Sequence, residues 1–256
     1  MSAQPQSADT GMTLVEHLTE LRKRLVICVI AVAIGMVVGF IAYDWVFNFL
    51  IRPYEEIATA NNSAFDGKLL QIDPLEGFSI RMRTSTYTGI ALAMPVILWQ
   101  IWKFVTPGLY DHEKRYALPF VASALALFLL GAGLAYYTLP RALEFLVDIG
   151  GDDLVTAFAP GKYFQLITYM MLAFGIGFEF PIVLIFLQMA GILETDTLRK
   201  GRRFAIVGIC VLVAVITPSG DPISMLMLSV PMVLFYEIAI VIGSIITKRQ
   251  AARATA

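Results

Sequence analysis

Charged residues are scarce in this chain, and their scarcity excludes most classes of soluble protein. Lysine, arginine, aspartate and glutamate make up 15% of the 256 residues, whereas 58% are hydrophobic. Soluble domains carry roughly 25% charged residues. The charges nearly cancel, at a net −1, which argues against a general nucleic-acid binder. The composition predicts an integral membrane protein.

Cysteine and histidine are also rare, with two residues of each. Cys28 and Cys210 lie within apolar runs, where they act as small hydrophobic residues, so no disulfide framework is expected. His17 and His112 each stand beside a glutamate, but neither spacing matches the HExxH motif or a Cys/His zinc cluster. We therefore expect neither a metal site nor a cofactor.

Motifs of hydrolases are missing too. No Gly-x-Ser-x-Gly nucleophile motif occurs. Two residue pairs, Tyr43-Asp44 and Gly220-Asp221, faintly resemble the aspartate motifs of intramembrane proteases. In the second, however, Pro218 replaces the first glycine of Gly-x-Gly-Asp. Both aspartates also lie at the outer edge of the predicted spans. No enzyme activity is expected.

The marks of a removable leader are absent from residues 1–12, which carry one charge, Asp9, and no basic segment. No small-residue cleavage site follows the first apolar run, so that run is expected to be retained. Residues 1–12 are then a flexible tail, 13–247 a membrane domain, and 248–256 a cytoplasmic tail.

Six segments are apolar enough to be predicted as transmembrane helices, each of which needs about 20 residues. They are residues 25–43, 84–102, 116–140, 163–193, 204–217 and 223–246. The fifth has only about 13 solidly apolar residues, which rise about 20 Å against a hydrocarbon core of about 30 Å. The predicted fold class is an all-α integral membrane protein with a short fifth span.

Basic residues set the expected orientation. If the N-terminus is cytoplasmic, the inner segments hold 13 lysines and arginines and the outer segments hold 6, so the positive-inside rule places both termini in the cytoplasm. Four prolines inside or at the edges of spans are expected to bend or interrupt them: Pro95, Pro119, Pro181 and Pro231. The second helix is expected to begin outside the membrane, near Pro74.

Glu179 is the only charged residue between Tyr163 and Ala190. A carboxylate near the middle of a lipid-spanning helix costs roughly 2.5–3.5 kcal/mol on insertion scales, and such residues are usually functional. We therefore expect Glu179 to meet a partner inside the membrane. The alternative is a carboxyl that is satisfied by backbone carbonyls freed near Pro181.

Two further carboxylates stand at the predicted inner surface. Glu20 has Arg24 four residues later, which fits a surface ion pair, and Glu113 fits the first turn of the third span, where it complements the helix dipole. Each has this structural explanation when taken alone. Together, two carboxylates on one face suit two guanidinium groups, because arginine binds carboxylates bidentately.

Five segments of the chain resemble the TatC family, the multispan receptor subunit of the twin-arginine protein translocase. In family order they are His17–Leu25, Pro95–Phe104, Pro107–Arg115, Phe174–Pro181, and Thr217-Pro218 with Asp221. The resemblance covers residues from about 13 to 247. It implies six helices in a concave, glove-like bundle with short fifth and sixth spans. Lys114 departs from the pattern, since arginine is common there.

The resemblance also implies a function without covalent chemistry. Such proteins bind the Arg-Arg signal peptides of folded cargo at the cytoplasmic face, for export driven by the proton-motive force. By motif match, Glu20 and Glu113 would accept the two arginines, and Arg22 and Phe104 would belong to the same recognition patch.

Partners are implied in the same way. Glu179 would meet a polar residue on a small single-span subunit, and Thr217 with its surroundings would form a second docking region. The implied partners are TatA-type and TatB-type subunits, lipids and further copies of the chain, in a bacterial-type cytoplasmic (inner) membrane. The turn 218–222 is longer than the family's usual Pro-Pro-Asp form, so the role of Asp221 stays open.

A proton- or ion-coupled secondary transporter that uses Glu179 and Glu237 is the alternative function. Transporters usually line their sites with several polar groups on broken helices. Glu179 has few polar companions in its span beyond Gln165, Thr168 and Gln188, which favours the translocase interpretation.

Overall fold

The computed structural model describes residues 14–60, 69, 73–105, 117–151, 159–189 and 191–254. These residues form helices and no strands, in agreement with the predicted all-α class. The helices are α1 Leu14–Ile41, α2 Tyr43–Ala60, α3 Glu76–Val105, α4 Ala117–Asp148, α5 Pro160–Gly177, α6 Phe180–Met189, α7 Thr195–Ile216 and α8 Pro222–Ala254.

Four helical stretches within the described residues are long and apolar enough to cross a membrane. They are Val15–Ile41, Leu118–Asp148, Pro160–Met189 and Pro222–Ile245, which indicates a multi-pass membrane protein. The second predicted span lies in α3, where polar residues lower the hydrophobicity. The fifth lies in α7, whose first half is rich in basic residues. The count of six spans therefore stays a prediction.

The fourth predicted span is divided into two helices at the expected place. α5 ends at Gly177, Phe178 and Glu179 form a turn, and α6 begins at Phe180, directly before Pro181. Proline has no amide hydrogen and its ring clashes with the preceding turn of a helix, so the ladder of hydrogen bonds stops there. The interruption is confirmed at Pro181, whereas α3 and α8 continue without a break through Pro95 and Pro231. The start of α3 at Glu76, just after Pro74, is also confirmed.

The described α2 helix was not among the predicted spans. It is amphipathic, with Leu50, Tyr54 and Ile57 buried on one side. Its exposed residues include Asp44, Arg52, Glu55 and Glu56. These charges keep α2 from qualifying as an apolar span, although its buried side packs firmly on the bundle.

Two tyrosines bond to backbone carbonyls of α2, and one of them compensates for a proline in that helix. Pro53 has no amide hydrogen, so the carbonyl of Phe49 loses its usual donor within the helix. The hydroxyl of Tyr136 in α4 donates to that carbonyl at 2.9 Å, and Tyr163 in α5 donates to the adjacent carbonyl of Leu50 at 2.6 Å. These bonds attach α2 to both helices beneath it.

Glycine allows α1 and α3 to pack with their backbones in contact. A Cβ on Gly35 would lie 2.6 Å from the carbonyl oxygen of Gly89, and a Cβ on Gly39 would lie 3.0 Å from that of Ser85. Small residues spaced four apart permit this close approach between membrane helices. At the end of α1, Arg81 in α3 donates to the carbonyl of Phe40 at 3.3 Å, one of the last carbonyls of that helix.

An aromatic cluster joins three helices at the opposite end of the bundle. The rings of Trp102 in α3 and Phe120 in α4 are 4.5 Å apart, and each lies 6.3 Å from Phe186 in α6. The end of α3, the start of α4 and the end of α6 therefore meet at one level. The start of α1 lies there too, because His17 stacks on Phe104 at 4.4 Å.

Gln188 connects α6 to both helices that follow it. Its side-chain nitrogen donates to the carbonyl of Ala239 in α8 at 3.1 Å, and its oxygen accepts from the hydroxyl of Thr195 at 3.0 Å. Gly243 leaves the space for this amide, since a Cβ there would overlap the Gln188 side chain.

Candidate functional site

Glu20 lies in a cavity of about 650 Å³ between the first turns of α1 and the last turns of α3. The cavity is lined by Val15, Glu16, Thr19, Glu20, Lys23, Arg24, Ile27, Gln100 and Lys103. The lining combines two glutamates and three basic residues with polar and apolar side chains. Such a surface can hold a cationic peptide through charge-assisted hydrogen bonds.

The guanidinium of Arg24 contacts both helices that form this cavity. Its Nε donates to Oε1 of Glu20 at 3.1 Å, and its Nη2 donates to the same oxygen. Its Nη1 donates to Oε1 of Gln100 on α3 at 3.3 Å. The ion pair predicted from the spacing of Glu20 and Arg24 is present. Within the described residues, Oε2 of Glu20 accepts no hydrogen bond.

Gln100 is a site residue that sequence reasoning missed. It is the one strongly polar side chain near the end of the second predicted span, between Trp99 and Trp102. That isolated polarity was a usable signal. Its alignment with Arg24 depends on the antiparallel pairing of α1 with α3, which periodicity within one helix does not reveal.

The other residues of the predicted recognition patch are placed differently. Phe104 is half-buried and stacks on His17, so it adjoins the cavity through an aromatic contact between α3 and α1. Arg22 is exposed on α1. Glu113 lies outside the described residues, as does His112.

Glu179 occupies the turn between α5 and α6. Its side chain is half-buried, and its Oε1 is buried without a hydrogen-bond partner in the described part of the chain. Its backbone is engaged, because its amide donates to the carbonyl of Ile176 at 3.0 Å and its carbonyl accepts from Val183 at 3.1 Å. The backbone of the turn is therefore hydrogen-bonded, while Oε1 of the side chain has no partner among the described residues.

Thr217 and Asp221 frame the turn between α7 and α8. Thr217 is buried, and its hydroxyl donates to the carbonyl of Val213 at 2.7 Å. Asp221 is buried and caps α8, since its Oδ1 accepts from the amide of Ser224 at 2.7 Å and its Oδ2 accepts from the hydroxyl of Ser219. The structure thus assigns Asp221 the role of a helix cap.

Glu237 does not join Glu179. Its Oε2 accepts from Nη2 of Arg202 at 2.7 Å, in a pair that is 38% and 51% exposed. Nearby, the hydroxyl of Tyr236 donates to the carbonyl of Leu198 at 2.7 Å, so both contacts fasten α8 to the start of α7. Because Glu237 is engaged by Arg202, it does not supply the second carboxylate that the transporter alternative requires. Groups of three His, Cys, Asp or Glu that could hold a metal do not occur among the described residues.

Comparison with known proteins gives a consistent result. Residues 16–231 match the family model described as Sec-independent protein translocase protein (TatC). A protein of that name from Frankia casuarinae is 41% identical over 251 residues, covering 96% of this chain and 69% of that protein. One from Aquifex aeolicus is 37% identical over 246 residues, covering 93% and 98%.

Solved structures give the same likeness. A crystal structure described as the twin arginine translocase receptor TatC has a TM-score of 0.75 and 38% sequence identity to this chain. It covers 91% of this chain and 100% of its own. A second, in DDM, has a TM-score of 0.76 at 37% identity, covering 89% and 99%.

Proposed function

Because this chain belongs to the TatC family of Sec-independent protein translocases, we propose that it is the translocase subunit that reads Arg-Arg signal peptides at the cytoplasmic membrane surface. The observation that carries the proposal is the Glu20 carboxylate. It is partly shielded, faces a cavity of about 650 Å³, and has one oxygen that accepts no bond from the described residues. A guanidinium fits this acceptor in charge and geometry.

Glu113 supplies the second acceptor in this proposal. The family motif at 107–115 assigns it that role, and the motif begins just beyond the described end of α3. α3 carries Lys103 and Gln100 at the cavity and Phe104 beside it. Arg22 and Phe104 complete the recognition patch, in which Arg22 orients the glutamates and Phe104 braces the start of α1 through His17.

Glu179 recruits a single-span subunit of the TatA or TatB type. Its unsatisfied Oε1 supports this role, since a buried polar atom without a partner costs about 1–3 kcal/mol. A polar side chain on a neighbouring helix would remove that cost. Thr217 defines the end of α7, and the exposed Val215 and Pro218 around it form the second docking surface.

The assembly lies in the cytoplasmic membrane and works without covalent chemistry. α1 and α7 expose large apolar side chains along much of their length, including Ile34, Val37, Val211 and Val215. These surfaces suit lipid tails, partner helices and further copies of the chain within the complex. The proton-motive force drives export through the complete translocase.

Crosslinking tests the recognition proposal directly. We expect a photoreactive Arg-Arg signal peptide to label the full chain in membranes, and Glu20→Gln and Glu113→Gln each to weaken the labelling strongly. Breaking one desolvated charge pair costs about 2–5 kcal/mol. Glu16→Gln is the matched control, since Glu16 lines the same cavity and its loss tests for a general effect of charge. Unchanged labelling in both the Glu20 and Glu113 variants would refute the proposal.

A further inference from the structure

Arg81, in the second turn of α3, is a half-buried arginine whose terminal nitrogens are largely unused. Within the described residues it forms no ion pair, and its one hydrogen bond runs from Nη2 to the carbonyl of Phe40. Its guanidinium carbon lies 4.4 Å from the centre of the Phe40 ring and 4.9 Å from that of the Tyr43 ring. Such aromatic contacts hold a guanidinium in position. Its Nε is buried, so a ligand would bind at Nη1 and Nη2.

This guanidinium lies where α1 reaches the surface of the membrane. The apolar stretch of α1 ends at Ile41, one residue after Phe40. Trp45 follows near the start of α2 and is 74% exposed, and tryptophans of membrane proteins concentrate at the level of the lipid head groups. Arg81 is therefore placed beside lipid phosphates, in the leaflet that the count of basic residues predicts to be the outer one.

An apolar cavity of about 200 Å³ opens between α2, α3, α4 and α5. Each of these helices contributes large apolar side chains to its lining, among them Val46, Leu92, Phe128 and Leu172. An apolar space of this kind does not retain water. A hydrocarbon chain matches its lining, and the membrane surrounds the bundle with such chains.

Two helices lead from the guanidinium to this cavity. Thr88, which lines the cavity, comes seven residues after Arg81, so the two share a face of α3 and lie about 10 Å apart along its axis. On α2, Tyr43 contacts Arg81, and Val46, three residues later on the same face, lines the cavity. The head-group region is roughly 5–7 Å deep on each side of a membrane. A phosphate at Arg81 and a chain in the cavity therefore have the spacing of one lipid molecule.

We propose that Arg81 and this cavity form one binding site for a phospholipid. The phosphate accepts hydrogen bonds from Nη1 and Nη2 of Arg81, and one acyl chain occupies the cavity. Guanidinium groups bind phosphate oxygens through paired, charge-assisted hydrogen bonds. The chain supplies the packing contacts that the cavity walls lack. The charge of Arg81 favours a phospholipid over an apolar peptide segment, which offers no anion at that position.

Lipid binding to the full chain tests the site. The chain is purified in mild detergent, stripped of lipid, and titrated with dioleoyl phosphatidylglycerol or with dioleoylglycerol, which lacks the phosphate, while native mass spectrometry counts the bound lipids. The first phosphatidylglycerol should bind more tightly than dioleoylglycerol. Arg81→Gln should weaken it roughly tenfold, as for loss of a charge-assisted hydrogen bond, and should leave dioleoylglycerol nearly unchanged.

A second variant tests the cavity and leaves the guanidinium in place. Ala91 lines the cavity and is exposed, so Ala91→Leu adds bulk to the cavity without overpacking the core. This variant should weaken the binding of both lipids, because both carry the same acyl chains. The thermal midpoint of each variant without lipid shows whether the fold is retained.

Arg141 provides the matched control. Within the described residues it also lies over an aromatic ring, that of Tyr137 at 4.5 Å, and pairs with no carboxylate. It stands nine residues after Ala132 of the cavity lining, two and a half turns away and on the opposite face of α4. Arg141→Gln should leave the first phosphatidylglycerol as tightly bound as in the unchanged chain.

Three results would overturn the proposal. Equal weakening by Arg81→Gln and Arg141→Gln would show a general attraction between arginines and lipid. Equal affinity of the unchanged chain for the two lipids would show that the phosphate is not recognised. If Ala91→Leu changes neither affinity, the cavity takes another occupant, such as a partner helix or the apolar part of a peptide.

Discussion

The Glu179 carboxyl has a buried oxygen that makes no hydrogen bond within the described residues, and two other side chains, Arg81 and Thr84, have one such buried atom each. The backbone amide and carbonyl of Glu179 are bonded to Ile176 and Val183, so the turn that carries the side chain is hydrogen-bonded at both groups. A carboxyl in this position requires a hydrogen-bond partner more than it requires a charge. Side chains that keep hydrogen-bonding capacity should therefore preserve its role.

We predict that Glu179→Gln retains more bound single-span subunit than Glu179→Leu does. Gln and Leu have similar size, but Leu cannot form a hydrogen bond, and removing one partner of a buried bond costs about 1–3 kcal/mol. Co-purification of the subunit with each variant in mild detergent measures the difference. Glu237→Gln is the control, since Glu237 is committed to Arg202. Equal recovery with Gln and Leu would indicate that backbone carbonyls near Pro181 satisfy the carboxyl.

Single residues were predictable from the sequence where their chemistry stood out from the surroundings. Glu179 was found because its span holds no other charge, and the Glu20 pair followed from a four-residue spacing. Asp221 could also have been identified, because an aspartate before Pro222 is typical of a helix N-cap followed by proline at the first helical position. Gln100 could not be linked to Arg24, since that contact joins residues far apart in the chain.

At the level of the helix, the attachment of α2 depends on tyrosine hydroxyl groups. That of Tyr136 replaces the amide hydrogen that Pro53 lacks. The Tyr136 ring stacks on Phe49 at 4.5 Å while its hydroxyl donates to the Phe49 carbonyl. Phenylalanine at 136 would keep the stacking and lose only the bond. The hydrogen bond can therefore be tested separately from the packing.

We predict that Tyr136→Phe destabilises the protein by about 1 kcal/mol or more, because the Phe49 carbonyl loses its donor. In a Pro53→Ala background the loss should be smaller, since the alanine restores the amide that bonds this carbonyl within α2. Unfolding by denaturant in detergent micelles measures both. Tyr137→Phe, at an exposed neighbouring position, should have little effect. Equal losses with and without Pro53 would contradict the explanation.

The backbone contact between α1 and α3 gives a second prediction for helix packing. A Cβ on Gly89 would approach the backbone nitrogen of Met36 to 2.5 Å, and a backbone atom cannot rotate away. Gly89→Ala should therefore destabilise the pair by about 1–3 kcal/mol. Gly133→Ala is the matched control, because nothing lies within 4 Å of its added Cβ. A thermal midpoint that falls equally in both variants would exclude a specific effect of packing.

The ends of helices were easier to predict from local sequence than the existence of every helix was. The break before Pro181 and the start of α3 after Pro74 both follow from proline, whose effect is local. α2 was missed because its charges and Pro53 interrupt the apolar run, and because its stability comes from Tyr136 and Tyr163 in distant helices. Tertiary contacts of this kind leave no periodic pattern in the segment that they stabilise.

For the whole molecule, contacts between helices show which helix ends lie together, and these ends form two groups at different levels of the bundle. The start of α1 and the ends of α3 and α6 meet through the rings of His17, Phe104, Trp102 and Phe186. At the other level, Glu76 at the start of α3 accepts from the amide of Gly161 at 2.7 Å. The count of basic residues predicts that the first level is cytoplasmic.

Cysteine labelling tests this orientation. In a chain with Cys28 and Cys210 replaced by serine, we expect a cysteine at Lys162 to react with an impermeant maleimide added outside intact cells. A cysteine at Lys200 should react only after the membrane is opened. Both positions are exposed, so access to the reagent decides the result. If only the cysteine at position 200 reacts from outside, the orientation is the reverse of the one predicted. If both cysteines react from outside, the predicted topology is wrong.

The family and much of the fold were predictable from the sequence, whereas the full site was not. The membrane class and the TatC resemblance agree with the family match and the solved structures. The pairing of Glu20 with Glu113 depends on the segment after α3, where chain connectivity alone does not set the distance between two carboxylates.

The amide of Gln188 has a consequence for how the molecule can change shape. Because it fills the notch left by Gly243 and is bonded to Ala239 and Thr195, α8 cannot slide along α6 without losing both bonds. Through this amide the end of α6, the start of α7 and the middle of α8 are held together, and the turn at Glu179 joins them to α5. A subunit that contacted this turn, as we propose for Glu179, would therefore act on three connected helices at once.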